Sequence, residues 1–381
     1  MLKKIFMFFC IVLMFCPTCF AEEDSGAYIL MESDTRQVIK KENEDERLPI
    51  ASTTKIMTAI IALENAKMSD VFTVSENAQN QEGSSIYLRT GDKITVENLL
   101  YGLMLNSGND AAVAIAEGVA GSCEKFSGLM NEKAKELGCK NTNFKNPNGL
   151  NEDGHYSTAY DMALIMSYAV KNDELLKIMS TKRYNIDQGG SITYLKNHNK
   201  LLWQYDFCTG GKTGYTKASG RCLVTSAEKD GVSLVAVTLN CPDDWQEHKE
   251  LFNYGFETVK NTPIIKKGTI LATKTINGTK VNLIAADDAK IPLADGKKGN
   301  ITGKIHLKEK GTDIQIGDNL GYARIYFNDY PVAKVAIKSG QKVKKIPFSG
   351  FGFIKRILSK GTNRNTHLKS IIDFEMRVFC I

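Results

Sequence analysis

The spacing of apolar residues changes several times along this chain, and each change marks an expected element. Ala27-Tyr28-Ile29-Leu30-Met31 opens a run from Gly26 to Asn43 that passes through Glu32-Ser33-Asp34-Thr35, which predicts a strand, a turn and a second strand. After Pro49-Ile50-Ala51 the period lengthens. Ile56, Met57, Ile60, Ile61 and Leu63 recur at helical spacing, so a buried helix is expected to start at Ser52 and to carry Lys55 one turn further on the same face. Thr95 stands as a cap before the apolar stretch Val96 to Leu105, and a further helix is expected over Ala111 to Val119. Asn106-Ser107-Gly108-Asn109 then falls in the short connection between two apolar helices. Asn146-Pro147-Asn148-Gly149-Leu150 is a turn, and Tyr156-Ser157-Thr158-Ala159-Tyr160-Asp161 sets a hydroxyl three residues ahead of an acid, a capping-box-like start for a helix over Met162 to Val170.

Farther along, Cys222 to Ala227 and Val232 to Leu239 are β-rich runs joined by Lys229-Asp230-Gly231, a hairpin signal. Gly210-Gly211-Lys212-Thr213-Gly214 is expected on a neighbouring strand of the same antiparallel sheet. Leu251 to Lys260 is expected to be a helix that closes a first domain, with the boundary at Thr262-Pro263. Short strands with Gly, Asn and Asp turns follow: Ile270 to Thr275, Lys280 to Ala285, Ile301 to Leu307, Gly321 to Phe327 and Tyr330 to Ile337. The pattern predicts an α+β chain: one domain over residues 22–262 and a small all-β domain over 263–340.

The two ends differ from this body. Met1-Leu2-Lys3-Lys4 is basic, Ile5 to Phe15 is apolar but short for a membrane span, and Cys19-Phe20-Ala21 supplies small residues for cleavage. Residues 1–21 are therefore expected to be a secretory signal peptide. Acylation of Cys19 is an alternative that Pro17-Thr18 fits poorly. The 381 residues suit about two domains. Of the formal charge of +6, the segment from residue 342 onward holds nine Lys/Arg against two acids, and residues 22–341 sum to −3. That segregation argues against a nucleic-acid protein with a general basic face. Phe351, Ile354, Ile357 and Leu358 can share a helical face beside Lys355, Arg356 and Lys360, so residues 341–381 are expected to be a basic amphipathic tail and an anchor to a membrane surface. Cys123, Cys139, Cys208, Cys222, Cys241 and Cys380 have no metal-site spacing. Export permits disulfides among them without requiring any.

Three short elements carry the chemistry: Ser52-Thr53-Thr54-Lys55, Ser107-Gly108-Asn109 and Lys212-Thr213-Gly214. Each alone is weak, since Ser52 could be an ordinary cap and Lys212-Thr213-Gly214 a strand end. In this order they form the set in which a serine is acylated and a lysine handles its proton. A serine hydroxyl needs an adjacent base. Lys55 serves only when neutral, so the site must depress its pKa by desolvation and nearby positive charge, which Lys212 supplies. Ser107 can relay a proton to the leaving group, Asn109 can hold Lys55 and a substrate amide, and Thr213 suits a substrate carboxylate. The backbone N–H groups of Ser52 and Tyr215 are the candidate oxyanion donors. None of His155, His198, His248, His306 and His367 sits in a G-x-S-x-G context, and the chemistry requires no metal or cofactor.

At these motifs, and at Asn146-Pro147-Asn148-Gly149-Leu150, His155-Tyr156-Ser157-Thr158-Ala159-Tyr160-Asp161-Met162-Ala163 and Gly211-Lys212-Thr213-Gly214-Tyr215-Thr216, the chain resembles the low-molecular-mass penicillin-binding proteins, serine-type D-alanyl-D-alanine carboxypeptidases of peptidase family S11. The resemblance implies a serine β-lactamase/transpeptidase-like first domain, an antiparallel sheet flanked by helices with a helical subdomain carrying Ser107 and Asn109. It also implies peptidoglycan stem pentapeptides as substrates, β-lactam antibiotics as acylating mimics, and a place at the outer face of the cytoplasmic membrane. The alternatives are a class A β-lactamase, whose E-x-x-L-N string is missing between Asn109 and Lys212, and a silent wall-binding protein, whose motifs would be broken. Family members tend to carry an arginine near the substrate carboxylate, just before the last helix of the domain. None stands around Trp245-Gln246-Glu247-His248-Lys249, which leaves that contact unassigned.

Overall fold

The computed structural model describes residues 26–187, 192–295, 299–308, 313–344 and 371–376. Strands β1 (Ala27–Glu32) and β2 (Val38–Glu42) make the expected hairpin. A 3-10 turn over Ala51–Thr54 runs directly into α1 (Lys55–Asn65). A helical layer follows: β3 (Val71–Thr73), α2 (Glu76–Gln79), β4 (Lys93–Thr95), α3 (Val96–Leu105), α4 (Asn109–Ala120), α5 (Cys123–Leu137), α6 (Ala159–Ala169) and α7 (Asp173–Ser180). The ribbon of β5 (Arg183–Asp187) and β6 (Ile192–Lys196), then the short α8 (Leu201–Gln204), lead to β7 (Cys208–Thr216), β8 (Gly220–Lys229), β9 (Val232–Leu239) and α9 (Asp244–Thr258). The main sheet has the order β2-β1-β9-β8-β7 and is antiparallel throughout, with β7 at an edge.

Both faces of this sheet are covered, which explains why β9 reads as a nearly unbroken apolar run. Val235, Val237 and Leu239 pack into the helical layer, whereas Val232, Leu234 and Ala236 pack with Leu251 and Phe252 of α9. Two caps fall where the sequence puts them. Thr95 Oγ1 accepts Asn98 N–H at 3.2 Å and Thr158 Oγ1 accepts Asp161 N–H at 3.0 Å, each worth about 1 kcal/mol. The capping box stays half made, because the Asp161 carboxylate turns to Lys140 N–H, Asn141 N–H and the Thr142 hydroxyl.

The end of the first domain differs from expectation. Helix α9 starts seven residues before Leu251 and stops at Thr258. Its first two turns are polar apart from Trp245, so apolar spacing alone starts it late. Thr262-Pro263 lies inside β10 (Val259–Ile265). Proline is tolerated there because β10 pairs with a single partner, and a bulge follows Pro263. Strands β11 (Ile270–Ile276), β12 (Thr279–Ala285), β13 (Ala289–Ala294), β14 (Ile301–Leu307), β15 (Asn319–Phe327), β16 (Tyr330–Ser339) and β17 (Ile371–Met376) complete the β domain. β13 is the partner of β10, and the others form a sheet of order β11-β12-β16-β15-β14-β17 over a core that includes Leu283, Ile305, Ile325 and Ile337.

Residues 341–381, expected as a basic amphipathic tail, include β17, which pairs antiparallel with β14 from Ile301↔Met376 to His306↔Ile371. The leader, residues 1–21, and the apolar run Phe351 to Leu358 lie outside the described residues. The two domains touch where Gln37 Oε1 accepts Ala294 N–H at 3.0 Å and the Arg36 guanidinium lies 4.1 Å from the Tyr330 ring centre. Among the described residues Cys123, Cys139, Cys208, Cys222 and Cys241 are free thiols, and no helix is long and apolar enough to cross a membrane.

Candidate active site

The three chemical elements arrive from separate layers and meet in one cleft of about 370 Å³ at the edge of β7, lined by Ser52, Ser107, Thr213, Gly214 and Tyr215 among others. Ser52 lies in the 3-10 turn, and Ala51 before it holds φ at 46°, in the left-handed region. Backbone strain of this kind costs on the order of 1–3 kcal/mol and persists only where neighbours enforce it. One enforcer is Gly149, also at positive φ, packed so closely that a side chain there would meet Ala51 O at 1.9 Å. Gly214 serves the same end from β7. A Cβ on it would lie 3.1 Å from Ser52 N, so glycine lets the edge strand approach the backbone of the 3-10 turn.

Lys55 is completely buried, and its Nζ contacts Ser52 Oγ at 2.9 Å, Asn109 Oδ1 at 2.7 Å and Asn148 O at 2.5 Å. Burial first, and then the Lys212 charge, hold its pKa well below the ordinary lysine range, with Asp110 opposing. The three partners decide what a neutral amine does here. Asn148 O is an obligate acceptor, and Asn109 presents its oxygen because its Nδ2 donates to Glu82 O at 2.5 Å. A neutral Lys55 that gives both N–H bonds to these acceptors would keep its lone pair for the Ser52 hydroxyl.

Ser107 sits at the α3–α4 corner with φ 61° and is buried. The corner is fixed by Gly108 N–H on Gly102 O at 3.1 Å and by Asn109 N–H on Ser84 O at 2.7 Å. Asp110 straps the Ser84–Leu88 segment against it, accepting from Ile86 N–H, Leu88 N–H and the Ser85 hydroxyl. Lys212 is also buried. Its Nζ donates to Thr213 O at 2.8 Å, and burial lowers its pKa to about 7.

Sequence reasoning missed three members of this neighbourhood. Asn148 acts through a backbone carbonyl, which has no side-chain signature. Asp110 shows only when the 84–88 loop is in place. Arg221 enters the cleft because β8 sets it opposite Tyr215. Its Nη2 donates to Asp244 Oδ1 at 2.7 Å, its Cζ lies 5.6 Å from the Trp245 ring, and its Nε is buried without a partner. The only hint in the sequence was the short β7–β8 turn, which fixes that register.

Two of the described histidines are structural. His155 Nδ1 accepts Lys145 N–H, which leaves Nε2–H for Thr54 Oγ1 at 2.9 Å, and burial lowers its pKa to about 4. His248 is buried between the Thr225 and Thr238 hydroxyls. His198 lines the cleft, where desolvation and the Lys212 charge lower its pKa.

Residues 17–243 match the family model of D-alanyl-D-alanine carboxypeptidases, and residues 256–345 match the penicillin-binding protein 5 C-terminal domain. The chain is 34% identical over 375 residues to the D-alanyl-D-alanine carboxypeptidase DacF of Bacillus subtilis, covering 92% of this chain and 96% of that protein. It is 35% identical over 328 residues to DacC of Escherichia coli, covering 78% and 80%. Among solved structures, the carboxypeptidase DacD from Francisella tularensis is similar at 27% identity and a TM-score of 0.62, over 85% of this chain and 95% of that one. Penicillin-binding protein 5 from Haemophilus influenzae gives 27%, 0.63, 84% and 97% in the same terms.

Proposed function

The chain belongs to the D-alanyl-D-alanine carboxypeptidase family, peptidase family S11, and from that premise we propose how its own residues carry the reaction. It is a serine D-Ala-D-Ala carboxypeptidase with a penicillin-binding-protein-5-type β domain. Ser52 Oγ attacks the carbonyl of the penultimate D-alanine of a stem pentapeptide while its proton passes to Lys55 Nζ. Ser107 relays that proton to the departing amine nitrogen, D-alanine leaves, and water hydrolyses the ester on Ser52. The N–H groups of Ser52 and Tyr215 hold the oxyanion, where losing one donor typically costs about 3 kcal/mol. The observation that carries this reading is the buried Lys55 Nζ 2.9 Å from Ser52 Oγ, with two obligate acceptors, Asn109 Oδ1 and Asn148 O, as its other partners.

Thr213 and Arg221 bind the terminal carboxylate, with Asn109 on the substrate amide. The buried, partnerless Nε of Arg221 and its hold on Asp244 support a guanidinium kept rigid for an anion. An arriving carboxylate also favours the charged form of Lys212, which depresses Lys55 further, so substrate binding itself readies the base. Release of D-alanine from a stem pentapeptide tests the assignment. Wild type is expected to turn over repeatedly while its penicillin adduct persists well beyond one cycle, and Arg221→Leu to lose about 10- to 100-fold in kcat/KM, the worth of charge-assisted hydrogen bonds. Rapid penicillin hydrolysis without D-alanine release would point to a β-lactamase, and unchanged kcat/KM in Arg221→Leu would remove that contact.

We also propose that residues 1–21 direct export and that the segment 342–360, with six Lys/Arg and no acid, holds the enzyme at the outer face of the cytoplasmic membrane. Each cation near an anionic leaflet is worth about 1 kcal/mol. Because β17 rejoins the sheet, this segment is an internal part of the chain between two strands. Sedimentation of the mature protein with anionic liposomes should weaken in high salt and be lost in Ile354→Asp/Leu358→Asp; equal sedimentation of that variant would refute the attachment.

A further inference from the structure

A second opening of about 630 Å³ adjoins the catalytic cleft, and the two share His198 and Lys200. Trp203 lines it at 41% exposure, together with Arg183 and Lys196. The ammonium groups of Lys196 and Lys182 lie 5.8 and 6.0 Å from the Trp203 ring centre, both within cation–π range. Arg183 and Lys196 are direct cross-strand partners in the β5–β6 ribbon, a like-charge pairing that costs a ribbon stability. None of the lining residues is acidic, and among the described residues none of Lys182, Arg183, Lys196 and Lys200 forms an ion pair. The fold sets Lys182 and Lys196 against an open indole and lines the groove with Arg183, Lys196 and Lys200, with no ion pair to any of the four among the described residues.

The position of this groove limits what can fill it. A substrate added antiparallel to the edge of β7, with its scissile carbonyl at the Ser52 and Tyr215 N–H groups and its carboxylate at Thr213, runs toward Lys212 and stops there. The shared wall stands at that end. His198 N–H donates to Leu105 O at 3.2 Å, two residues before Ser107, and the Lys212 charge acts on its ring. The peptide being cut has no residues beyond its terminal D-alanine, so the groove is open to a different chain. Cations with an aromatic face and no acidic neighbour suit a peptide that carries carboxylates.

We propose that the Trp203 groove binds a second stem peptide of the wall polymer, through its free carboxylates, beside the peptide being hydrolysed. The inference rests on the substrate orientation given above. It makes the enzyme a reader of neighbouring stems, with an advantage on crowded polymer over isolated pentapeptide.

The test separates the groove from the catalytic cleft by filling the cleft with penicillin. The penicilloylated full-length enzyme is titrated calorimetrically with the tetrapeptide L-Ala-γ-D-Glu-diaminopimelate-D-Ala, whose carboxylates are free. Wild type should bind it. Arg183→Glu/Lys196→Glu and, separately, Trp203→Ala should bind at least ten-fold more weakly, and the amidated tetrapeptide should lose affinity for wild type to a similar degree. Penicillin labelling, read in the same samples, should be unchanged in both variants and reports folding. Labelled wild type that fails to bind the tetrapeptide, or binds it as well as both variants do, overturns the groove alone. Loss of affinity for phosphatidylglycerol vesicles with tetrapeptide binding intact overturns the peptide assignment in favour of a lipid surface. Wild type that takes no penicillin label overturns the catalytic reading and this inference with it.

Discussion

Ser52→Ala is expected to abolish covalent labelling by a fluorescent penicillin and to lower D-alanine release on the order of 10⁶-fold, the scale seen when a serine nucleophile that works as a unit with its base is removed. The serine stands at the one point where the strained 3-10 turn, the Lys55 amine and the edge of β7 converge. Its removal deletes the bond-forming atom and leaves the packing almost untouched, because the turn is held by the Gly149 contact and by Thr53, whose N–H and hydroxyl both bond to Ile50 O. A folded Ser52→Ala protein that still labels, with the adduct mapped to another residue, would sink the assignment.

Lys55→Met carries the second largest effect. Methionine approximates the buried volume without an amine, and loss of a general base typically costs about 10²- to 10⁴-fold. The pH profile gives the sharper test. Burial and Lys212 favour the neutral amine in the fold, so Lys55 is a competent base above its folded pKa and is lost as pH falls through that value. Penicillin acylation by wild type should therefore drop about ten-fold per pH unit on the acid side, the slope of one proton. The residual rate of Lys55→Met should be flat over the same window. An acid limb that survives the substitution would mean that another group titrates, and His198 would be the next to replace.

Much of the candidate site was legible because it is local. Ser52 and Lys55 are one turn apart, Thr95 and Thr158 announce helix starts, and Lys212 is followed by the glycine that lets β7 approach the turn. What escaped has a different character. Arg221 touches the cleft only through strand register, Asn148 only through a carbonyl, and Arg183 and Lys196 of the basic groove face each other only through the β5–β6 register. Helix α9 began earlier than its apolar spacing because a helix can start on polar turns when later turns bury it.

The amino-acid sequence alone determined which chemistry this protein performs, since hydroxyl, amine and cation types at short fixed spacings survive any folding uncertainty. It also determined the α+β composition, since period and caps act within a few residues. Tertiary structure alone decided how the chemistry is armed. The depressed pKa of Lys55 needs complete burial beside Lys212, 157 positions away in sequence, and the placement of its Nζ needs Asn109 and Asn148 from two other segments. The return of β17 to β14 and the unneutralised cations around Trp203 are likewise matters of which surfaces meet. Local pattern reports which face of an element is dry; only packing determines which charges share that dry space, and electrostatic energies there depend on distance and burial together.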